Sequence, residues 1–400
     1  MDLELASIIV VYSIVFLLIY KNRKKFQVMD KIFFVYKWDK GVQVIKKFSK
    51  KYLIIFYTIG IPICLFFMVF GIKLMWDGAV SIISSPNPEP TVGLAIPGVR
   101  IPGSPIYVPF WYGIIALITI IFSHELSHGI AATIEKIKLK STGVGLLLIL
   151  PLAFVEPEQE SYEKAKKISK IRMLIAGSFA NICLAVLAML VVNFIIAPVI
   201  DSMVNYEGVS IAETVNNGPA DLAGVLNNSK IISINNNSIS NITEFYLEIL
   251  SLKPNDTVTL VTNYSSYEFQ VSSNPKNESV AYFGVMVEQE WAFKEQLSSW
   301  PLFILNIPLI LASLFMWISN LNFGIGIMNL FPLWITDGGK VALELINPLF
   351  KNKKTAFLVA NYLFIFCMSL LIFNLLGPYA INTYNYIKPH IISALNSFNL

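Results

Sequence analysis

The chain has 400 residues, of which 55% are hydrophobic and 14% charged, with a mean hydropathy of +0.62 and a formal net charge of +4. Soluble globular chains carry about a quarter charged residues, so the composition excludes an ordinary soluble enzyme and indicates a membrane protein. Cys64, Cys183 and Cys367 lie in apolar runs without a CxxC pair; this excludes a disulfide framework and leaves them as small hydrophobes.

The apolar run from Leu5 to Tyr20 precedes a basic cluster. A signal peptide has the reverse order, so a retained membrane anchor is expected. A spanning helix needs about 20 mostly apolar residues, and segments 3–20, 52–73, 106–134, 173–199, 301–328 and 355–377 qualify. The run 143–155 contains Pro151, ends at Glu156 and is too short to span. It fits a membrane-embedded hairpin or re-entrant segment, which lipid tolerates only where protein or a wet cavity covers its backbone.

Lys and Arg in short loops set orientation. Residues 21–51 carry eleven basic residues against Asp30 and Asp39, which predicts a cytoplasmic loop and an external N-terminus. Loop 76–105, with Arg100 as its only basic residue, is expected outside. Lys136, Lys138, Lys140, the basic stretch 156–172 and Lys351, Lys353 and Lys354 mark inner turns of the same topology. Residues 205–290 are polar, Asn- and Ser-rich, and alternate short apolar strands with turns; Gly218-Pro219-Ala220 leads into a short helix at 219–225. They predict a soluble extracytoplasmic domain, in which Asn241-Ile242-Thr243 is one of several glycosylation-type sequons.

His124-Glu125-Leu126-Ser127-His128 lies in segment 106–134. On a helix this spacing puts two imidazoles on one face, where both can bind one Zn²⁺, and leaves Glu125 to act as base toward an attacking water. Three fixed positions can arise by chance. Against chance, the chain has three histidines in all, two of them here, and ionisable groups at membrane depth cost about 2.5–3.5 kcal/mol each on insertion scales. Counted from Tyr107, helix rise puts His124 about 25 Å inward, toward the cytoplasmic leaflet.

A catalytic zinc takes three protein ligands and keeps one open position. His390, in the tail after the last span, falls on the wrong side, and segments 173–199 and 355–377 hold no acidic residue. Asp337, between the breakers Pro332 and Gly338-Gly339, is the candidate third ligand. Its bland alternative is a helix cap, a common role for Asp that does not exclude ligation.

The HELSH helix, the later Asn329-x-x-Pro332-x-x-x-x-Asp337-Gly338 pattern and the extracytoplasmic insert resemble the site-2 protease family of intramembrane metalloproteases, over about 106–377. Thr336 stands where that family usually has Leu. The resemblance implies zinc on His124, His128 and Asp337, with Glu125 as catalytic base. Gly177-Ser178-Phe179-Ala180-Asn181 resembles the family's Gly-Pro-x-x-Asn motif with Ser for Pro, which would make Asn181 a donor to substrate or oxyanion; an interhelical hydrogen bond is the alternative. The run 143–155 sits where the family pairs a β segment with an extended substrate. Glu207-Gly208-Val209-Ser210, Gly218-Pro219-Ala220 and Ile231-Ile232-Ser233-Ile234 in turn resemble a PDZ domain, as a peptide binder by strand addition or as a steric filter.

The expected architecture is an α-helical polytopic membrane protein of about six transmembrane helices with an embedded hairpin, plus a small α+β PDZ-like domain. Its parts are 1–75 (two helices and a basic loop with no assigned chemistry), 76–105 (external loop), 106–199 and 300–378 (metalloprotease core), 205–290 (PDZ-like) and 379–400 (tail). The expected activity is cleavage of peptide bonds within or beside transmembrane segments. The partners are transmembrane substrates, the bilayer and a peptide at the PDZ-like domain, with no nucleic acid. Two rivals are a metal transporter, which leaves Glu125 without a role, and a catalytically inactive receptor or adaptor, whose mark would be a lost ligand or Glu.

Overall fold

The computed structural model describes all residues except 1–2, 23–25, 30–32, 39, 86–87, 102–103, 105, 148–149, 275–276 and 399–400. In chain order the elements are α1 (Leu3–Lys21), β1 (Phe26–Met29), β2 (Phe33–Lys37), α2 (Gly41–Phe48), α3 (Leu53–Ser84), α4 (Phe110–Ile134), β3 (Leu139–Leu147), β4 (Leu150–Pro157), α5 (Gln159–Lys164) and α6 (Lys167–Val191). There follow α7 (Ala197–Met203), β5 (Val204–Thr214), α8 (Pro219–Leu222), β6 (Ser229–Ile234), β7 (Asn237–Ser238), α9 (Ile242–Ser251), β8 (Thr257–Thr262), β9 (Ser266–Gln270), β10 (Ser272–Asn274), β11 (Asn277–Tyr282) and β12 (Val285–Phe293). The chain ends with α10 (Leu302–Leu305), α11 (Ile307–Leu330), α12 (Asp337–Ile346) and α13 (Lys353–Phe398). Contacts divide it into residues 1–193 with 311–400, and residues 194–310.

Among the described residues six helices are long and apolar enough to cross a membrane, one for each expected segment. Two boundaries differ from the sequence reading. Helix α3 runs to Ser84, so the stretch from 76 that reads as the start of an external loop is helical; Asp77 and Gly78 look like a stop, yet Ala79 and Ile82 are buried apolar residues that continue the helix face. Helix α13 runs to Phe398 through Pro378 and Pro389, so the tail from 379 is helical. His390 lies on that helix, and its side chain is outside the described residues.

In the first unit α4 and α6 pack around buried Ile130, Ala131, Leu174 and Ile175. The basic loop 21–51 supplies more than charge. Its β2 pairs antiparallel with β3, from Phe33 opposite Leu147 to Lys37 opposite Gly143, and β1 pairs with β2. The run 143–155 forms the β3–β4 hairpin, and the sheet order is β1-β2-β3-β4. The aromatic, β-branched run Phe33-Phe34-Val35-Tyr36 is a strand pattern on its own terms, masked in the sequence by the lysines around it. One edge of the hairpin is thus covered by β2, and β4 is left as the edge beside α4.

Polar groups tie the helices, two clusters among them. Arg172 Nη1 donates to Glu135 Oε1 at 2.7 Å and Arg172 Nε to Thr58 Oγ1 at 3.0 Å, joining α3, α4 and α6, with Ser169 also donating to Glu135. Asn374 of α13 is fully buried and donates to the carbonyls of Met75 and Leu370, each at 2.8 Å, while Thr91 donates to its oxygen. Buried polar groups in an apolar bundle are tolerated when saturated in this way.

The second unit is the expected α+β domain. Its main sheet runs β12-β5-β6-β8-β9, with β7 on β6 and a separate β10–β11 ribbon. Val209, Ile211, Ile231, Ile234, Val258 and Leu260 fill the core against Phe245 of α9. The predicted short helix is α8, ending at Leu222. Helix α9 escaped the sequence reading because its start looks like a sequon. Asn241 Oδ1 accepts the Glu244 N–H at 2.9 Å as the helix cap, and Glu244 Oε2 accepts the N–H of Ser240, one residue before the cap, at 2.8 Å.

The Arg172–Glu135 pair is mostly buried, so leaving one charge alone is the damaging change. Arg172→Met should destabilise the protein by about 3–5 kcal/mol, and the Arg172→Met/Glu135→Gln double variant should recover part of that loss. Thermal unfolding in detergent measures both.

Candidate metal centre

Helix α4 carries His124 and His128 one turn apart, with no other Asp, Glu, Lys or Arg than Glu125 along it. Their Nε2 atoms lie 3.0 Å apart. Asp337 Oδ2 lies 3.2 Å from His124 Nε2 and 3.0 Å from His128 Nε2. Among the described residues these three form a group able to hold a metal ion. Two nitrogens and one carboxylate oxygen are the donor set of a catalytic zinc with one position open to solvent.

Asp337 reaches the pair because of how the chain turns after α11. Pro332 follows the helix end, and Gly338 and Gly339 start α12 pressed onto that end. A Cβ at either glycine would meet the carbonyl oxygen of Leu330 at 1.9 Å or of Leu333 at 1.8 Å. The cap of α12 is Thr336, whose Oγ1 accepts the Gly339 N–H at 3.2 Å and donates to the Phe331 carbonyl at 2.6 Å. The bland role weighed for Asp337 therefore belongs to its neighbour, and the departure from Leu at 336 has a use. Lys340 Nζ donates to Asp337 Oδ1 at 3.2 Å, engaging the oxygen turned away from the histidines.

Helix α6 supports the rings from behind. His128 Nδ1 lies 2.7 Å from the Met173 carbonyl, to which it donates. Gly177 lets the helix approach: a Cβ there would lie 2.4 Å from His128 Nε2 and 2.6 Å from His124 Cε1. Asn181 is fully buried, with its amide nitrogen 3.3 Å from His124 Nδ1 and its oxygen 2.7 Å from Ser123 Oγ. These are interhelical hydrogen bonds from α6 to α4, the alternative role weighed for Asn181.

That cavity has a volume of about 930 Å³ and is lined by His124, Glu125, His128, Asp337, Asn329 and β4 from Pro151 to Val155. Asn329 of the Asn-x-x-Pro pattern lines the cavity, as does Asn347. Glu125 Oε2 accepts the Val155 N–H at 3.0 Å, so edge strand β4 holds the carboxylate beside the donor set. Nothing in the sequence pairs Glu125 with Val155. Tyr162 of α5 also lines the cavity. Burial, and secondarily the Glu344 and Asp337 carboxylates, push its hydroxyl well above the usual tyrosine range, so it stays a neutral hydrogen-bonding group.

Fold and site together define a polytopic helical protein with a His-Glu-x-x-His donor set completed by a distant aspartate. The chain belongs to peptidase family M50, the site-2 protease family, whose profile matches residues 112–373. It is 32% identical over 199 residues to an uncharacterized protein of Methanocaldococcus jannaschii, covering 48% of this chain and 53% of that one. It is 26% identical over 231 residues to the "Probable protease eep" of Enterococcus faecalis, covering 48% and 54%. The chain thus spans about half the length of the curated relatives it matches. The PDZ domain of the SdrC-like protein from Listeria monocytogenes matches 23% of this chain and 94% of its own at 22% identity and a TM-score of 0.18, too low to bear on the fold.

Because a side chain at 177 would occupy the space of the two rings, Gly177→Ala should weaken metal binding by about 10–100-fold, the scale of lost outer-shell support. Competition with a chromophoric chelator measures it.

Proposed function

We propose that the protein is an intramembrane zinc metalloprotease that hydrolyses peptide bonds within or beside transmembrane segments of membrane proteins, in regulated intramembrane proteolysis. One observation carries this reading: His124 Nε2, His128 Nε2 and Asp337 Oδ2 converge beside Glu125, on a cavity within a bundle of apolar helices.

Zn²⁺ held by these three atoms would polarise the scissile carbonyl and make water nucleophilic near neutral pH. Glu125, next in sequence to the first ligand, takes the proton of the attacking water and returns it to the leaving amine. Its hydrogen bond to Val155 keeps the carboxylate at the cavity wall. Lys340 occupies Asp337 Oδ1 and leaves Oδ2 to the metal.

Strand β4 binds the substrate backbone. Antiparallel neighbours alternate between groups turned to the partner strand and groups turned away. The Val155 N–H turns away from β3, toward Glu125, so the Ala153 N–H and C=O turn the same way. An extended substrate segment can add to this edge. Pro151 has no N–H, and so ends the row of donors. A substrate helix must unwind first, since its own backbone groups are otherwise paired along the helix. The N-terminus and the PDZ-like unit are assigned to the extracytoplasmic side and the active site to the cytoplasmic half of the bilayer, from the distribution of lysine and arginine. The PDZ-like unit binds a peptide or limits substrate size.

With purified protein and a model transmembrane substrate, Glu125→Gln should retain zinc and lose at least about 10²-fold in cleavage rate. Equal cleavage by wild type and variant rejects the protease reading. Asp337→Ala should lose bound zinc; full retention, measured by metal analysis, removes Asp337 from the ligand set. Val155→Pro deletes the N–H that Glu125 accepts without deleting a β3–β4 bond, and should lower cleavage at unchanged zinc content.

A further inference from the structure

Three fully or largely buried groups run back from the metal centre: His124, Asn181 and Ser123. Ser123 Oγ lies 2.7 Å from Asn181 Oδ1 and 3.1 Å from the Ile120 carbonyl. Asn181 Nδ2 lies 3.3 Å from His124 Nδ1. With this amide orientation two demands conflict. One hydroxyl proton would serve two acceptors, and His124 would accept at Nδ1 while offering Nε2 to the ion. A neutral imidazole has one N–H and one acceptor nitrogen, so it cannot accept at both.

Both conflicts vanish if the Asn181 amide is turned by half a rotation, which exchanges two groups of nearly the same shape. His124 Nδ1–H then donates to Asn181 Oδ1, Asn181 Nδ2–H to Ser123 Oγ, and Ser123 O–H to the Ile120 carbonyl. The His124 Nδ1 and Ser123 hydroxyl protons are each used once, and one of the two Asn181 amide protons is used. His124 is left in the tautomer His128 already has through its bond to Met173, with both Nε2 lone pairs directed at the site. Asn181 is fully buried, and its amide meets His124 and Ser123.

We propose that Asn181 is a positioning residue for the metal, resting on the zinc reading above: its amide oxygen accepts His124 Nδ1–H and fixes the ring's tautomer and orientation, with Ser123 holding the amide in that sense. A metal-bound histidine that loses such a partner loses about 10–100-fold in metal affinity.

The test measures zinc affinity of the full chain in detergent by chelator competition, with the visible absorption of a Co²⁺ substitute as a second readout. Asn181→Leu should bind zinc about 10–100-fold more weakly and alter the Co²⁺ spectrum. Asn181→Asp keeps an acceptor for Nδ1–H, so it should bind zinc as tightly as wild type or tighter. Ser123→Ala should weaken zinc binding by less than Asn181→Leu does. Ser178→Ala, on the buried face of the same helix at a hydroxyl without a partner, should leave affinity unchanged and so controls for packing. If Asn181→Leu does not fold, the contrast between Asn181→Asp and Ser123→Ala carries the test. Wild-type affinity in Asn181→Leu with lost cleavage overturns the proposal in favour of a substrate role. Equal weakening by Asn181→Asp and Asn181→Leu overturns it in favour of packing. If wild type binds no zinc, or Asp337→Ala binds it equally well, the metal reading itself fails, which these variants separate from failure of the proposal.

Discussion

The structure depends on one constraint: polar groups that converge on a metal must be held inside helices that are otherwise apolar. Two imidazoles and a carboxylate meet within 4.8 Å of one another. Such groups repel or hydrate if left unsupported in a low-dielectric interior. Much of what surrounds them follows from this. Helix α6 offers Gly177 so that it can come close, the Met173 carbonyl to hold one ring and Asn181 to face the other. The break after α11 exists to bring Asp337 across, and its two glycines let α12 begin against the end of α11.

A second constraint governs the hairpin. Strand edges are costly in lipid because their backbone groups lack water. The β3 edge is covered by β2 from the basic N-terminal loop. The β4 edge is instead turned to the cavity, where one of its N–H groups already serves Glu125. The segment before α3, which carried no assigned chemistry in the sequence, therefore contributes to the sheet that forms the cavity wall.

Much of the site was legible in sequence for a physical reason. Ionisable residues are so unfavourable in a spanning helix that His124, Glu125 and His128 stand out against their background, and the scarcity of other acidic groups at that depth leaves Asp337. The spans were legible as long apolar runs. What was not legible depends on contacts between distant segments. The pairing of Phe33–Lys37 with Gly143–Leu147, the cap of α12 by Thr336, the approach of Gly177 and the Glu125–Val155 bond leave no local pattern. Helix α3 beyond Asp77 was missed because a charge and a glycine read as a boundary, whereas packing of Ala79 and Ile82 carries the helix on. The motif singles out Asn181, but its contacts with His124 and Ser123 join distant segments and leave no local pattern.

On the proposed reading, Pro151 on the β4 edge would bear on which substrates are cut. A row that offers the Ala153 amide and then stops can return only about 0.5–1.5 kcal/mol for each hydrogen bond it makes. That is too little to pull open a stable helix several bonds long. On the proposed reading the enzyme would therefore not choose its substrates by residue recognition at this edge. It would act on segments whose helices already fray at membrane depth, near glycine, proline or a polar side chain, and would leave uninterrupted leucine-rich spans uncut.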